Sequence, residues 1–138
     1  MKDVLVKDIM SFPLISVDSR ADIQSVAKLM IVKDIGGVLV SNEDNYVGII
    51  TKQDIVRIVS KGEEIKTIQA KDIMTSPLKM VDVSDTVFEA AKKLVFAGVR
   101  RIIVSKNNKP VGMVSDRDIV KVAPDIVELL IEEIRIKG

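Results

Sequence analysis

Lys7-Asp8-Ile9-Met10-Ser11-Phe12-Pro13-Leu14 returns down the chain as Lys71-Asp72-Ile73-Met74-Thr75-Ser76-Pro77-Leu78, 64 residues later. The same offset, without a gap, aligns Val40-Ser41 with Val104-Ser105 and Val47-Gly48 with Val111-Gly112. It ends by aligning Asp54-Ile55-Val56 with Asp118-Ile119-Val120. From Lys7/Lys71 to Arg57/Lys121 there are 17 identities in 51 pairs, too many and too regular for chance. A duplication of this kind predicts a pseudo-two-fold body with paired clefts, so function is to be sought on residues that recur in both halves. One repeat of about 60 residues buries too little surface to be stable alone, and packing two together is the remedy. Two copies of this length are too few and too long for a solenoid.

Each repeat carries the same order of elements. After the entry segment, Pro13 pushes the chain into an extended piece, Leu14 to Val17. A helix follows over roughly Ala21 to Lys33, where Ile23, Val26, Ala27, Met30 and Ile31 fall on one stripe of a 3.6-residue period. Its partner spans Asp85 to Ala97, with Val87, Ala90, Ala91, Leu94 and Val95 at the same spacing. Gly36-Gly37 is expected to stop the first helix and Gly98 the second. Two strands come next, Val38 to Val40 and Val47 to Ile50 about a turn-rich Asn42-Glu43-Asp44-Asn45. Ile102 to Val104 and Val111 to Val114 flank Lys106-Asn107-Asn108-Lys109 in the same way. A second helix starts near Lys52 and near Asp116, which completes β-α-β-β-α. Ser60 to Gln69 reads as the linker, and Pro124-Asp125 opens a last amphipathic helix carrying Ile126, Leu129, Leu130 and Glu133-Ile134. The expected boundaries are 1–62 for the first repeat, 63–123 for the second and 124–138 for the C-terminal helix.

Composition narrows the function. Apolar residues make up 47 % of the chain but aromatics only 3 %, Tyr46 and three Phe, which leaves few stacking platforms for bare nucleic acid. The net charge is +1, from 21 basic and 20 acidic residues mixed along the chain, so no electrostatic footprint for DNA or an anionic membrane is expected. Met1-Lys2-Asp3 leads into mixed polarity rather than a signal peptide, and no apolar run nears the roughly 18 residues of a spanning helix. The expected location is the cytoplasm. Cys and His are both absent, which removes disulfides, thiolate or imidazole metal sites, Cys nucleophiles and any Ser-His-Asp relay.

One motif could carry chemistry. Gly48-Ile49-Ile50-Thr51-Lys52-Gln53-Asp54 recurs as Gly112-Met113-Val114-Ser115-Asp116-Arg117-Asp118 at a strand-to-helix junction. The pattern suits a sugar-phosphate ligand. Gly allows close approach to the backbone, the hydroxyl and helix-start amides meet an anion, and an ionised Asp accepts hydrogen bonds from a ribose diol. The competing reading is a capping box, since Ser/Thr followed three residues later by Asp needs no ligand. Glu63-Glu64 and Glu132-Glu133 read as solvated faces, and the methionines Met10, Met30, Met74, Met80 and Met113 as core filler.

The entry segment Asp-Ile-Met-Ser/Thr-x-Pro, the helix, the hairpin strands and the closing Gly-x-x-Ser/Thr-x-x-Asp resemble a cystathionine β-synthase (CBS) domain. Two in tandem resemble the CBS pair, or Bateman module, over residues 1 to about 123. The resemblance implies an α+β fold of two pseudo-symmetric β-α-β-β-α repeats packed as a pair, with clefts between the repeats. It implies adenosine-containing ligands (AMP, ADP, ATP, S-adenosylmethionine or NAD(H)) bound for regulation, with no catalytic residue or catalytic cofactor. By the same resemblance Thr51 and Asp54 bind phosphate and ribose in one cleft, Ser115 and Asp118 in the other. The entry strand of the opposite repeat brings Thr75, Pro77 and Met80 to the first and Ser11, Pro13 and Ile15 to the second. Arg101 matches a phosphate-contacting Arg of the family and Arg100 stands where a His is common, whereas the first repeat has Gly36-Gly37 there. Anion-binding side chains are therefore expected to concentrate in the second repeat. The resemblance also implies a homodimer packed through helices and an effector protein on another chain. The alternatives are a ligand-free interaction or scaffold protein, with the motifs as caps only, and a nucleic-acid-associated regulator using the Arg100-Arg101 face.

Overall fold

The computed structural model describes residues 4–126 and 128. The chain divides into two compact units, and neither is one contiguous repeat. One unit is residues 15–78; the other joins residues 1–14 to residues 79–138.

In the 15–78 unit, β1 (Ser16–Asp18) lies parallel to β2 (Gly37–Asn42), and β2 is antiparallel to β3 (Asn45–Thr51), giving the sheet order β1-β2-β3. Helix α1 (Ile23–Lys33) connects the parallel pair, and α2 (Lys52–Ser60) follows β3 directly. A short helix, α3 (Ala70–Ile73), is the entry segment of the second repeat. Sequence periodicity explains α1: Ile23, Val26 and Met30 are buried on one face. Asp22 caps the helix by accepting from the Ser25 amide at 2.8 Å, and this bond holds its carboxyl below its ordinary pKa. The core joins Val26 and Met30 to Val38, Val40, Ile50 and Ala70. Ala70 thus packs with the repeat that precedes its own, and its amide donates to Ala21 O at 2.7 Å.

The other unit repeats the plan: β4 (Met80–Asp82), α4 (Val87–Ala97), β5 (Arg101–Lys106), β6 (Lys109–Ser115) and α5 (Asp116–Val122), with sheet order β4-β5-β6. Here the entry segment is supplied by the chain's beginning, with a 3-10 turn at Val6–Asp8. The Val6 amide donates to Asp85 O at 2.9 Å and the Val87 amide to Val4 O at 2.7 Å. Val6 is fully buried among Val81, Val87, Ala90, Leu94, Ile102, Val104, Val114 and Ile119. Complete burial of a side chain of this size contributes about 1.5–3 kcal/mol, so this unit holds its borrowed segment by packing and not by a tether alone.

Three expectations need correction. The first helix ends at Lys33 as expected, but Gly36-Gly37 is not what stops it. Its cap is Asp34 in the left-handed conformation (φ 51°), whose amide returns to Ile31 O, while the Ile35 amide reaches Met30 O. Asp34 stands at the position of Gly98, which has φ 66° and ends α4 in the same way; a short polar side chain tolerates what glycine does freely. Ile31, placed on the core stripe by its spacing, is 77 % exposed. The buried stripe on this helix is narrower, Ile23, Val26 and Met30, with Leu29 packed partly buried beside it. Both α1 and α4 also start two residues later than expected, after the caps Asp22 and Thr86. In the expected C-terminal helix, residues 124–126 are helical; Leu129, Leu130 and Glu133-Ile134 lie outside the described residues. None of the described helices is long and apolar enough to cross a membrane.

Candidate functional site

In the 15–78 unit the last residue of β3, Thr51, stays extended (φ −109°, ψ 166°) and the next residue begins α2. Strand geometry passes into helix with no loop, which leaves the first-turn amides to be satisfied locally. The Asp54 amide donates to Thr51 Oγ1 at 3.3 Å, and the Thr51 amide donates back to Asp54 Oδ2 at 2.8 Å. The Thr51 hydroxyl donates to the same oxygen at 3.1 Å. The Lys52 amide goes to Gly36 O at 3.1 Å. A complete capping box results, and it pins the Asp54 carboxylate, only 13 % exposed, at the mouth of the strand–helix junction.

The other unit builds the same arrangement at the end of β6. The Asp118 amide donates to Ser115 Oγ at 3.2 Å; the Ser115 amide and hydroxyl donate to Asp118 Oδ2 at 2.8 and 3.0 Å. The Asp116 amide goes to Arg100 O at 2.8 Å. The capping reading and the ligand reading were alternatives on sequence. Geometrically they coexist, because the box occupies Oδ2 and leaves Oδ1 of each Asp outside it.

Beside each box runs a borrowed entry segment. Thr75 forms an antiparallel bridge to Ile49, amide to carbonyl in both directions at 3.0 and 2.9 Å. Ser11 bridges Met113 likewise, at 2.8 and 3.1 Å. Thr75 and Pro77 thus share the unit of Thr51 and Asp54, and Ser11 and Pro13 share that of Ser115 and Asp118. These four are exposed, and the peptides before both prolines are cis. Met80 and Ile15 do not join these groups. Met80 opens β4 and Ile15 precedes β1, so each belongs to the unit of the other capping box.

The motif glycines have a different partner from the one expected. A Cβ on Gly48 would stand 2.6 Å from Met74 Sδ, and one on Gly112 would stand 2.6 Å from Met10 Sδ. The close approach that requires glycine is therefore made by the entry-segment methionine, which packs against the core beneath the box. Of the helix-start amides expected to meet an anion, those of Asp54 and Asp118 are in use by the box and those of Lys52 and Asp116 by the carbonyls of Gly36 and Arg100.

Charges around the two boxes differ. Arg100 donates to Asp116 Oδ2 at 3.2 Å and is 78 % exposed. Arg101 begins β5 opposite Ser115 and is half-buried. Asp116 Oδ1 also accepts the Arg117 amide at 2.8 Å. In the 15–78 unit Gly37 takes the place of Arg101 opposite Thr51, and the guanidinium near the carboxylate is that of Arg57, at 3.2 Å from Asp54 Oδ1. Sequence reasoning passed over Arg57 and Asp116. An acid and a base three residues apart on a helix are neighbours, and that spacing was the available signal for Arg57.

Two interleaved units, each ending a three-stranded sheet in a capped helix with an acidic first turn, define a duplicated α+β module with one carboxylate cradle per unit. The chain belongs to the CBS-domain family: the model for the CBS domain matches residues 6–61 and again residues 70–125. An uncharacterized protein of Methanopyrus kandleri, MK0525, is 35 % identical over 138 residues, covering 98 % of this chain and 70 % of that protein. Among solved structures, the CBS domain protein PAE2072 from Pyrobaculum aerophilum complexed with AMP is 25 % identical with a TM-score of 0.80, covering 94 % of this chain and 99 % of that one. The CBS domain pair of MJ0100, in complex with 5'-methylthioadenosine and S-adenosyl-L-methionine, is 27 % identical with a TM-score of 0.79, covering 88 % and 96 %. The fold is that of a tandem CBS pair, and these two structures hold adenosine-containing molecules.

Proposed function

We propose that this chain is a regulatory sensor of an adenosine-containing ligand, AMP, ADP, ATP, S-adenosylmethionine or NAD(H), and that it carries out no chemistry on it. The observation that carries this reading is the duplicated Asp at a strand–helix junction, held by its box through one oxygen with the other outside the box. A carboxylate fixed in this way accepts from a ribose diol without first losing rotamer freedom. Thr51, Asp54, Thr75 and Pro77 serve one site; Ser115, Asp118, Ser11, Pro13, Arg100 and Arg101 serve the other. The likeness to AMP- and S-adenosylmethionine-bound CBS pairs supports the choice of ligand class. Output is a population shift: ligand favours whichever geometry of the module binds it best, and an effector protein reads the change. The chain acts in the cytoplasm as a homodimer. Exposed apolar residues on the helices (Ile31, Val32, Val56 and Val59 in one unit, Phe88, Phe96 and Val120 in the other) support packing against a second copy.

A scaffold role is the second reading, favoured by the fact that both boxes are complete as they stand. Thermal melting against the nucleotide panel separates the two, because a ligand that binds only the folded form raises the melting temperature by mass action. A rise with at least one adenosine compound, and co-purified ligand in the mass spectrum, is the expected result. No shift with any of them would leave the scaffold reading standing.

A further inference from the structure

The two carboxylates sit in the same box but differ at the oxygen the box leaves over. Asp54 Oδ1 accepts from Arg57 Nη1 at 3.2 Å, one helical turn on, with Arg57 56 % exposed. The repeat-equivalent of Arg57 is Lys121, and Asp118 takes part in none of the ion pairs among the described residues. A guanidinium presents a planar fork that matches a carboxylate, whereas an ammonium is a strongly hydrated point charge on a flexible stem. The substitution therefore changes how the outer oxygen is used. Resting on the reading of these Asp residues as ribose acceptors, we propose that Arg57 is a specificity-determining residue that makes the sites fill in order: it holds the outer oxygen of Asp54, so the Asp118 site takes an adenosine-containing ligand first. A ribose arriving at Asp54 must displace Arg57 or share its acceptor, while one arriving at Asp118 meets an oxygen that no side chain among the described residues holds. The pair is half exposed, and pairs of that kind are weak. Its competition is worth roughly threefold to fivefold in affinity for a ligand without a phosphate.

The test uses the full chain with one site silenced at a time, and adenosine as probe, since an uncharged ligand does not respond to the lost positive charge itself. On an Asp118→Ala background, Arg57→Gln should bind adenosine about threefold to fivefold more tightly than Arg57 does. On an Asp54→Ala background, Lys121→Arg should weaken binding by a similar factor. Arg57→Lys in the first background should fall between Arg57 and Gln. Should Arg57→Gln lower the melting temperature, the Lys121→Arg arm still decides. Unchanged affinity in both arms overturns the inference and leaves the sensor reading intact; weaker binding by Arg57→Gln overturns it too, by making Arg57 a ligand contact. If the parent binds neither adenosine nor AMP, the sensor reading fails and this inference fails with it.

Discussion

Thr51 to Asp54 and Ser115 to Asp118 make the same turn, with the same three hydrogen bonds, equal in length to within a tenth of an ångström, yet stand in different surroundings. Asp54 is backed by Arg57 and by Gly36-Gly37. Asp118 stands in the unit of Arg100 and Arg101, and Asp116 beside it already engages Arg100. The cap is kept because each helix start needs it, whatever the ligand. The residues around the cap are free to diverge, and they have. Duplication thus preserved the geometry that folding requires and relaxed the charges that only binding would use. In the second repeat the guanidiniums of Arg100 and Arg101 stand where the first repeat has Gly36 and Gly37, and that of Arg100 is bonded to Asp116.

The largest expected effect comes from breaking the exchange of entry segments. A cut between residues 66 and 67 separates Ala70 from the core of Val26, Met30, Val38 and Ile50, and Val6 from that of Leu94, Ile102 and Val114. Fragments 1–66 and 67–138 should each lack cooperative melting by circular dichroism and regain structure when mixed. A fragment 15–78, which keeps its borrowed segment, should be better folded than 1–66. If 1–66 melts as cooperatively as 15–78, the borrowed segments are ornaments and the two-unit account is wrong.

Next in size are the glycines. Gly48→Ala and Gly112→Ala each press a methyl into an entry-segment methionine, and overpacking of this kind typically costs about 1–3 kcal/mol. Gly48 meets Met74 Cβ at 3.0 Å as well as its Sδ, and Gly112 meets Ser11 O at 3.1 Å, so neither site can relax by moving only the end of the side chain. Denaturant unfolding measures the cost. Neutral substitutions at both positions would return the glycines to the role of ligand approach.

The smallest effect separates the two sites by charge. Arg101→Ala should weaken AMP more than adenosine, by several-fold, because AMP alone has a phosphate for the guanidinium to hold. Equal losses for the two ligands would assign Arg101 to packing or to the surface.

Much of this was legible in the sequence because the repeat prints every element twice. Helices, hairpins and both boxes follow from periodicity and from Ser/Thr-x-x-Asp spacing. The left-handed stop at Asp34 was hidden by a glycine pair two residues on, and its clue lay in alignment with Gly98 rather than in local composition. The roles of Gly48 and Gly112 were not legible, since their neighbours Met74 and Met10 come from the opposite repeat and no local pattern brings them together. Ile31 fails for a similar reason: spacing defines a stripe, but tertiary packing decides how much of it is covered. Arg57 was visible as an i, i+3 neighbour of Asp54, yet its bond to the outer oxygen is a matter of rotamer that spacing does not fix.

The central claim, that the duplicated carboxylates are ribose acceptors as well as caps, meets its most direct test in calorimetric titration of AMP into the parent chain, Asp54→Ala and Asp118→Ala. Each loss of a charged acceptor should weaken its own site by about one to two powers of ten, so each variant should keep one site near the parental affinity and lose most of the other. Two variants that both bind AMP at two sites as tightly as the parent would contradict the account and leave Asp54 and Asp118 as helix caps alone.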